Sequence, residues 1–145
     1  MTLDDYVDTF ELFDDWDQRY QYLTELGDQL QDLPDSLRTE ENRVKGCMSQ
    51  VWVCAYLQTS GPYGSSELVG FHADCDTPTI KGVLALLVDL MSEKPVADVL
   101  DTDLDEIFDR LSLDDHLSPN RHFGIYAIVT LMKEQTEKLT STETA

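Results

Sequence analysis

Apolar residues recur at steps of three and four through Leu3, Val7, Phe10, Phe13, Trp16, Tyr20, Leu23, Leu26 and Leu30. That spacing lines one face of a helix. Asp14 and Asp15 interrupt it, so the pattern predicts two helices, with Asp14 as the N-cap of the second. Gly27 weakens the end of that helix, and Leu33-Pro34-Asp35 closes it. A polar loop follows to about Asn42. The period then changes. Residues 51–57 and 67–73 are rich in β-branched and aromatic side chains and flank a Gly/Pro/Ser connection, the signature of an antiparallel hairpin. Val51, Val53, Ala55 and Leu57 fall on one face; Trp52, Cys54 and Tyr56 fall on the other. Both faces are apolar, so helices or another strand should cover each. Residues 43–45 could add a short strand.

Residues 79–91 are apolar nearly all round, which describes a core helix. Short helices are predicted at 95–100 and 103–111, the second with Leu104, Ile107, Phe108 and Leu111 on one face. Ser118 followed by Pro119 starts a last helix, with a cap and then proline at the first helical position. It runs to about Leu139 and leaves 140–145 as a frayed tail. Helices, hairpin, helices is an α+β order: a small antiparallel sheet packed by helices. At 145 residues and 41% hydrophobic, the chain is expected to form one domain over 1–145, with its core between about 10 and 139.

Charge narrows the function. The formal net charge is −19, which argues against nucleic acid and against an anionic membrane surface, since both need clustered Lys and Arg. The acidic N-terminus lacks the basic and apolar regions of a secretory signal. Three cysteines cannot all pair within one chain, and none forms a CxxC. Reduced thiols in the cytoplasm are expected over a disulfide framework or zinc ribbon.

None of the 29 acidic residues falls between 43 and 66. Arg43 and Lys45 lie just ahead of Cys47, which follows Gly46 in a turn. In an extended segment Lys45 and Cys47 point the same way. A nearby cation favours thiolate, and lowering a thiol pKa from ~8.5 to ~7 makes about half of it nucleophilic at neutral pH. Cys54, mid-strand, is expected to be an inert small hydrophobe. Cys75 falls in a loop after the second strand. Cys47, Cys75, Asp76 and His72 could form a mixed ligand set, though their spacing is nonspecific. His116 and His122 are expected as surface or capping residues. Arg121 and His122 fall in the first turn of the last helix, against the helix dipole. That corner could hold a carboxylate such as Asp74 or Asp76, or a thiolate.

Four motifs in order resemble the SufE-type sulfur-acceptor family, partners of pyridoxal-phosphate cysteine desulfurases. WDQRY at 16–20 with Leu26-Gly27 resembles the family's second helix. NRVKGCMSQVW at 42–52 resembles its acceptor-cysteine signature. Asp74-Cys75-Asp76 with Ile80-Lys81-Gly82 resembles the stretch after its last strand. His116-Leu-Ser-Pro-Asn-Arg121 with Gly124 resembles its terminal-helix start. The resemblance covers about residues 10–139 and implies a SufE/NifU-like scaffold fold.

It further implies that Cys47 accepts sulfur as a persulfide, stimulates a SufS-like or CsdA-like desulfurase, and passes the sulfur on to an iron–sulfur assembly scaffold. Gly46 would give the cysteine loop freedom to swing. Arg43, Lys45, Ser49, Gln50, Asp74, Asp76 and Arg121 would shape the loop or the docking face. No cofactor and no metal of its own is expected, pyridoxal phosphate belonging to the partner; homodimerisation is left open. Cys75 stands where the family has serine, as a harmless replacement, a resolving thiol or a third ligand. Pro78 stiffens that loop. Two rivals remain: a metal or iron–sulfur scaffold using Cys47 and Cys75, and a docking regulator that carries no sulfur.

Overall fold

The computed structural model describes residues 2–30, 33–45, 50–60, 66–113, 117 and 119–144. Helix α1 spans Leu3–Glu11, closed at its start by a reciprocal Thr2/Asp5 capping box. Helix α2 spans Trp16–Asp28. Its cap is Asp15 rather than Asp14. The Asp15 carboxylate accepts from Gln18 N, and Gln18 Oε1 accepts from Asp14 N. The two acidic residues thus divide one reciprocal cap between them. The following loop contains a single 3₁₀ turn at Asp35–Leu37 and buries Leu33.

Strands β1 (Val51–Ser60) and β2 (Ser66–Cys75) pair antiparallel, from Val51 opposite Cys75 to Ser60 opposite Ser66. Each runs beyond its expected end, and the 61–65 connection lies outside the described residues. Cys75 is therefore the last residue of β2, not part of a loop. The 43–45 segment does join the sheet, through an antiparallel bridge between Arg43 and Trp52.

The two faces of the hairpin differ from the expectation. Val51, Val53, Val69, Phe71, Ala73 and Cys75 pack into the core. Trp52, Cys54 and Tyr56 are only half-buried. Part of that second face is covered by its own rings and by one cation: Tyr56 stacks on His72 at 4.6 Å, and the Arg38 guanidinium lies 5.0 Å over Trp52. Amphipathic aromatics and stacked arginine tolerate partial exposure, so no second helical layer is required there.

Helix α3 (Pro78–Met91) is the core helix, with Ile80, Val83, Leu84, Leu86, Leu87 and Met91 buried. Pro78 occupies its first turn, where its missing N–H costs nothing. Helix α2 crosses α3 where two glycines meet. A Cβ on Gly82 would come within 2.1 Å of the Leu23 carbonyl oxygen, and one on Gly27 within 3.0 Å of Gly82 N. Gly27 is thus a contact point, not a weak end. Helices α4 (Val96–Leu100) and α5 (Leu104–Leu111) lead to α6, Pro119–Thr144. Helix α6 continues through 140–144 because its polar end contains neither glycine nor proline to stop it. Ile125, Ile128, Val129 and Met132 of α6 close the core.

Candidate functional site

Gly46, Cys47 and Ser49 lie outside the described residues, as does the side chain of Arg121. What the structure places is the base from which that segment springs. On one side, Val44 N donates to Val51 O at 2.8 Å. On the other, Gln50 and Asp76 bond reciprocally. Gln50 N donates to Asp76 Oδ1 at 3.0 Å, and Asp76 N donates to Gln50 O at 3.2 Å. The Thr77 hydroxyl also donates to Asp76 Oδ1, at 3.3 Å. Asp76 and Gln50, both sequence candidates, are therefore brought together. Both feet are tied to the same end of the sheet.

The basic flank is less isolated than the acid-free stretch implied. Glu40, just upstream of that stretch, bonds Lys45 Nζ at 2.5 Å and sits 3.7 Å from Arg43 Nη1. The bond from Lys45, with smaller help from Arg43, pulls the exposed Glu40 carboxyl below its ordinary pKa. Arg43 and Lys45 share this one carboxylate, so their charge is only partly compensated by it. Exposed pairs of this kind contribute little to stability. Arg43 and Lys45 also border an open groove of about 250 Å³ against Ala127, Thr130, Leu131 and Glu134 of α6. A larger cleft of about 490 Å³, lined by Tyr6, Leu30, Tyr56, Asp89 and Glu93 among others, shares no residue with this flank.

Asp74 takes a structural post. It accepts from Arg38 Nη2 at 2.6 Å and from Cys75 N at 2.8 Å, and Lys81 Nζ lies 3.3 Å away. Burial would push its carboxyl up; the Arg38 bond, the Cys75 N–H and the Lys81 ammonium outweigh that and hold it below the ordinary value. Among the described residues its charged partners are Arg38 and Lys81; the side chains of the first turn of α6, where Arg121 was expected to meet it, lie outside them. The Asp74 side chain is 16% exposed, so its charge-assisted bonds retain much of their strength. Asp74→Asn should lower stability at neutral pH by about 1–2 kcal/mol. A depressed folded pKa gives stability that is complete above the unfolded value near ~4 and lost as pH falls through the folded one. Urea midpoints for the two chains should therefore differ at pH 7 and converge toward pH 3.

The other thiols separate. Cys54 is half-buried; burial pushes its thiol up, and a contact with Asn42 offsets part of that. It is poorly nucleophilic, as the strand pattern implies. Cys75 is 5% exposed, and its Sγ accepts from Thr77 N at 3.4 Å. His72 and Cys75 stand at opposite parities of β2, so they face opposite sides of the sheet. The mixed set of His72 with Cys75 is thus not assembled. Among the described residues no group of three or more His, Cys, Asp or Glu could hold a metal ion.

Gln135 of α6 was not among the sequence candidates. It accepts from Ala55 N at 2.9 Å and donates to Val53 O at 2.8 Å and to Asn42 Oδ1 at 3.2 Å. Its amide serves the free edge of β1 as a peptide group of a neighbouring strand would. A signal was present: Gln135 continues the buried stripe Ile125, Ile128, Met132 at helical spacing, and a polar residue on such a stripe needs partners. Arg38 and Glu40 were also missed, as ordinary surface charges in an acidic chain, and Lys81 entered only as part of the Ile80-Lys81-Gly82 motif without a role.

No described helix is long and apolar enough to cross a membrane. The family model described as SufE, an Fe–S metabolism associated domain, matches residues 4–136. A SufE-like protein of Rhizobium etli, named as uncharacterized, is 36% identical over 134 residues, covering 92% of this chain and 88% of that protein. Another from Rhizobium meliloti, likewise named, is 33% identical over 138 residues, covering 94% and 95%. The solution structure of a hypothetical protein from Thermus thermophilus superposes with a TM-score of 0.75 over 96% of each chain, at 20% identity. That last likeness bears on the fold alone.

Proposed function

Because the chain belongs to the SufE family, we propose that Cys47 is the sulfur acceptor of a pyridoxal-phosphate cysteine desulfurase. The Cys47 thiolate attacks the terminal sulfur of the enzyme's cysteine persulfide. The enzyme's S–S bond breaks, its cysteine leaves with the electron pair as thiolate, and Cys47–S–SH forms. No external oxidant or reductant is consumed, since one persulfide replaces another. Freeing the enzyme's cysteine returns it to its next turnover, which is how acceptance stimulates the desulfurase. A second attack, by a thiolate of an iron–sulfur assembly scaffold, then unloads Cys47.

The observation that supports this reading most is the base of the 46–49 segment. Val44–Val51 and Gln50–Asp76 hold its two feet, and two cations, Arg43 and Lys45, flank it on the side of Glu40. The fixed feet set where the thiol-bearing residues leave and rejoin the sheet, and a glycine next to the thiol widens the backbone choices open there. Cations this close to the thiol in sequence favour the thiolate. The chain itself needs no cofactor, pyridoxal phosphate remaining with the desulfurase, and a reducing cytoplasm suits its thiols.

The test is mass spectrometry of the Cys47 peptide after incubation with cysteine and a desulfurase. A gain of one sulfur, removable by reductant, is expected. Accelerated desulfurase turnover with an unmodified peptide would instead identify a docking regulator. Iron bound after anaerobic purification would identify a scaffold.

A further inference from the structure

We infer that Gln135 is a positioning residue for sulfur acceptance, acting through the stem of the Cys47 segment. The inference rests on the carrier reading above and extends it to a residue 80 positions from the strand it serves.

The outer edge of β1 is taken up group by group. Val51 O takes Val44 N, and Val53 N gives to Asn42 O, both at 2.8 Å. Among the described residues, these two bonds are what holds 42–44 to β1 through the main chain. The next two edge groups, Val53 O and Ala55 N, are taken by the Gln135 amide. Gln135 thus sits directly in line with the 42–44 piece, as its continuation. The same Nε2 reaches Asn42 Oδ1, and Asn42 Nδ2 donates to Leu37 O at 2.9 Å.

This arrangement determines register. A short segment with two ladder bonds could slide along an open edge, and a slip of one residue turns every side chain to the opposite face. Gln135 fills the positions that a slipped 42–44 segment would claim, and its bond to Asn42 fixes which residue abuts it. The register of 42–44 decides where Lys45 ends and the Cys47 segment begins. Gln50 is held independently by Asp76, so a slip on the 42–44 side alone would shorten or lengthen the span carrying the thiol. A helix buried through Ile125, Ile128 and Met132 therefore sets the presentation of a cysteine it need not touch.

The experiment compares wild type, Gln135→Leu and Gln135→Glu. Leucine keeps the volume and removes both donor and acceptor; glutamate keeps an acceptor for Ala55 N and loses the donors. Three readouts are needed: amide exchange at Val44 and Val53, Cys47 alkylation by iodoacetamide against pH, and sulfur uptake from cysteine and a desulfurase as the carrier concentration varies. Loss of the amide should speed exchange at Val44 and Val53 and lower kcat/KM for the carrier by about tenfold. Alkylation should stay as fast as in wild type or faster, with the same pH midpoint, and exchange at Leu84 in α3 should not change. General destabilisation would move Leu84 too. If Gln135→Leu does not fold, Gln135→Glu carries the comparison.

A folded variant that takes sulfur at the wild-type kcat/KM overturns the inference and leaves the carrier reading intact. Wild-type protein that takes no sulfur overturns both. Slower uptake with unchanged Val44 and Val53 exchange also overturns the inference, because the stem is then not the route.

Discussion

Gly82→Ala should cost the fold about 3 kcal/mol or more, although alanine is the better helix former by about 1 kcal/mol. The new methyl would stand 2.1 Å from the Leu23 carbonyl oxygen and 2.5 Å from its carbonyl carbon. Those atoms are backbone and cannot rotate away. Helices α2 and α3 would have to part, opening gaps around Leu23, Val83 and Leu84, which are fully buried. Against a typical total of about 5–15 kcal/mol, that is a large share. Thermal melting should fall by roughly 10 °C for a domain of this size. Gly27→Ala is the internal control. Its methyl would meet Gly82 N at 3.0 Å and the Lys81 carbonyl carbon at 3.1 Å, so a milder loss is expected. Equal stability of Gly82→Ala and wild type in urea would show that the helices do not cross at this distance.

Cys47→Ser should abolish sulfur uptake and desulfurase stimulation while leaving the urea midpoint unchanged. A serine hydroxyl is not ionised at neutral pH and forms no persulfide, so nothing remains to accept the terminal sulfur. The loss should be complete, unlike the graded effect expected at Gln135. Cys54→Ser and Cys75→Ser are the comparisons. Neither thiol stands in the 46–49 segment, and both should leave uptake in place, with Cys75→Ser losing some stability to a buried hydroxyl. Full stimulation by Cys47→Ser would discard the carrier role.

What could be read from residue order follows a physical division. Periodicity recovered the two N-terminal helices through their single apolar faces, while β-branched and aromatic runs about a Gly/Pro/Ser turn marked the hairpin and an all-round apolar run marked the core helix. It misread Gly27, since helix propensity says nothing about which glycine meets another helix. It expected a cover over Trp52, Cys54 and Tyr56, because hydrophobic pattern cannot foresee that Arg38 and His72 would stack there. At the site, the acid-free stretch pointed to Arg43 and Lys45 but concealed Glu40, which sits just beyond its boundary and reaches back. The pairing of Asp76 with Gln50 and of Gln135 with β1 depends on tertiary approach across 26 and 80 positions. Local sequence carries only a trace of such pairs, here a polar residue on an otherwise apolar stripe.

The two tethers below Cys47 also set an upper limit on travel. Three residue steps separate Val44 from Cys47, and three separate Cys47 from Gln50. A chain extends at most ~3.3–3.6 Å per residue, so the cysteine Cα lies within about 11 Å of either anchor, and its sulfur no more than a side-chain length further. On the carrier reading, a donor sulfur recessed beyond the reach of that side chain is out of range. A desulfurase that loads Cys47 would therefore need a shallow mouth, or one wide enough to admit the end of the sheet itself. Deleting one residue from 46–49 should shorten that reach more than it harms the fold.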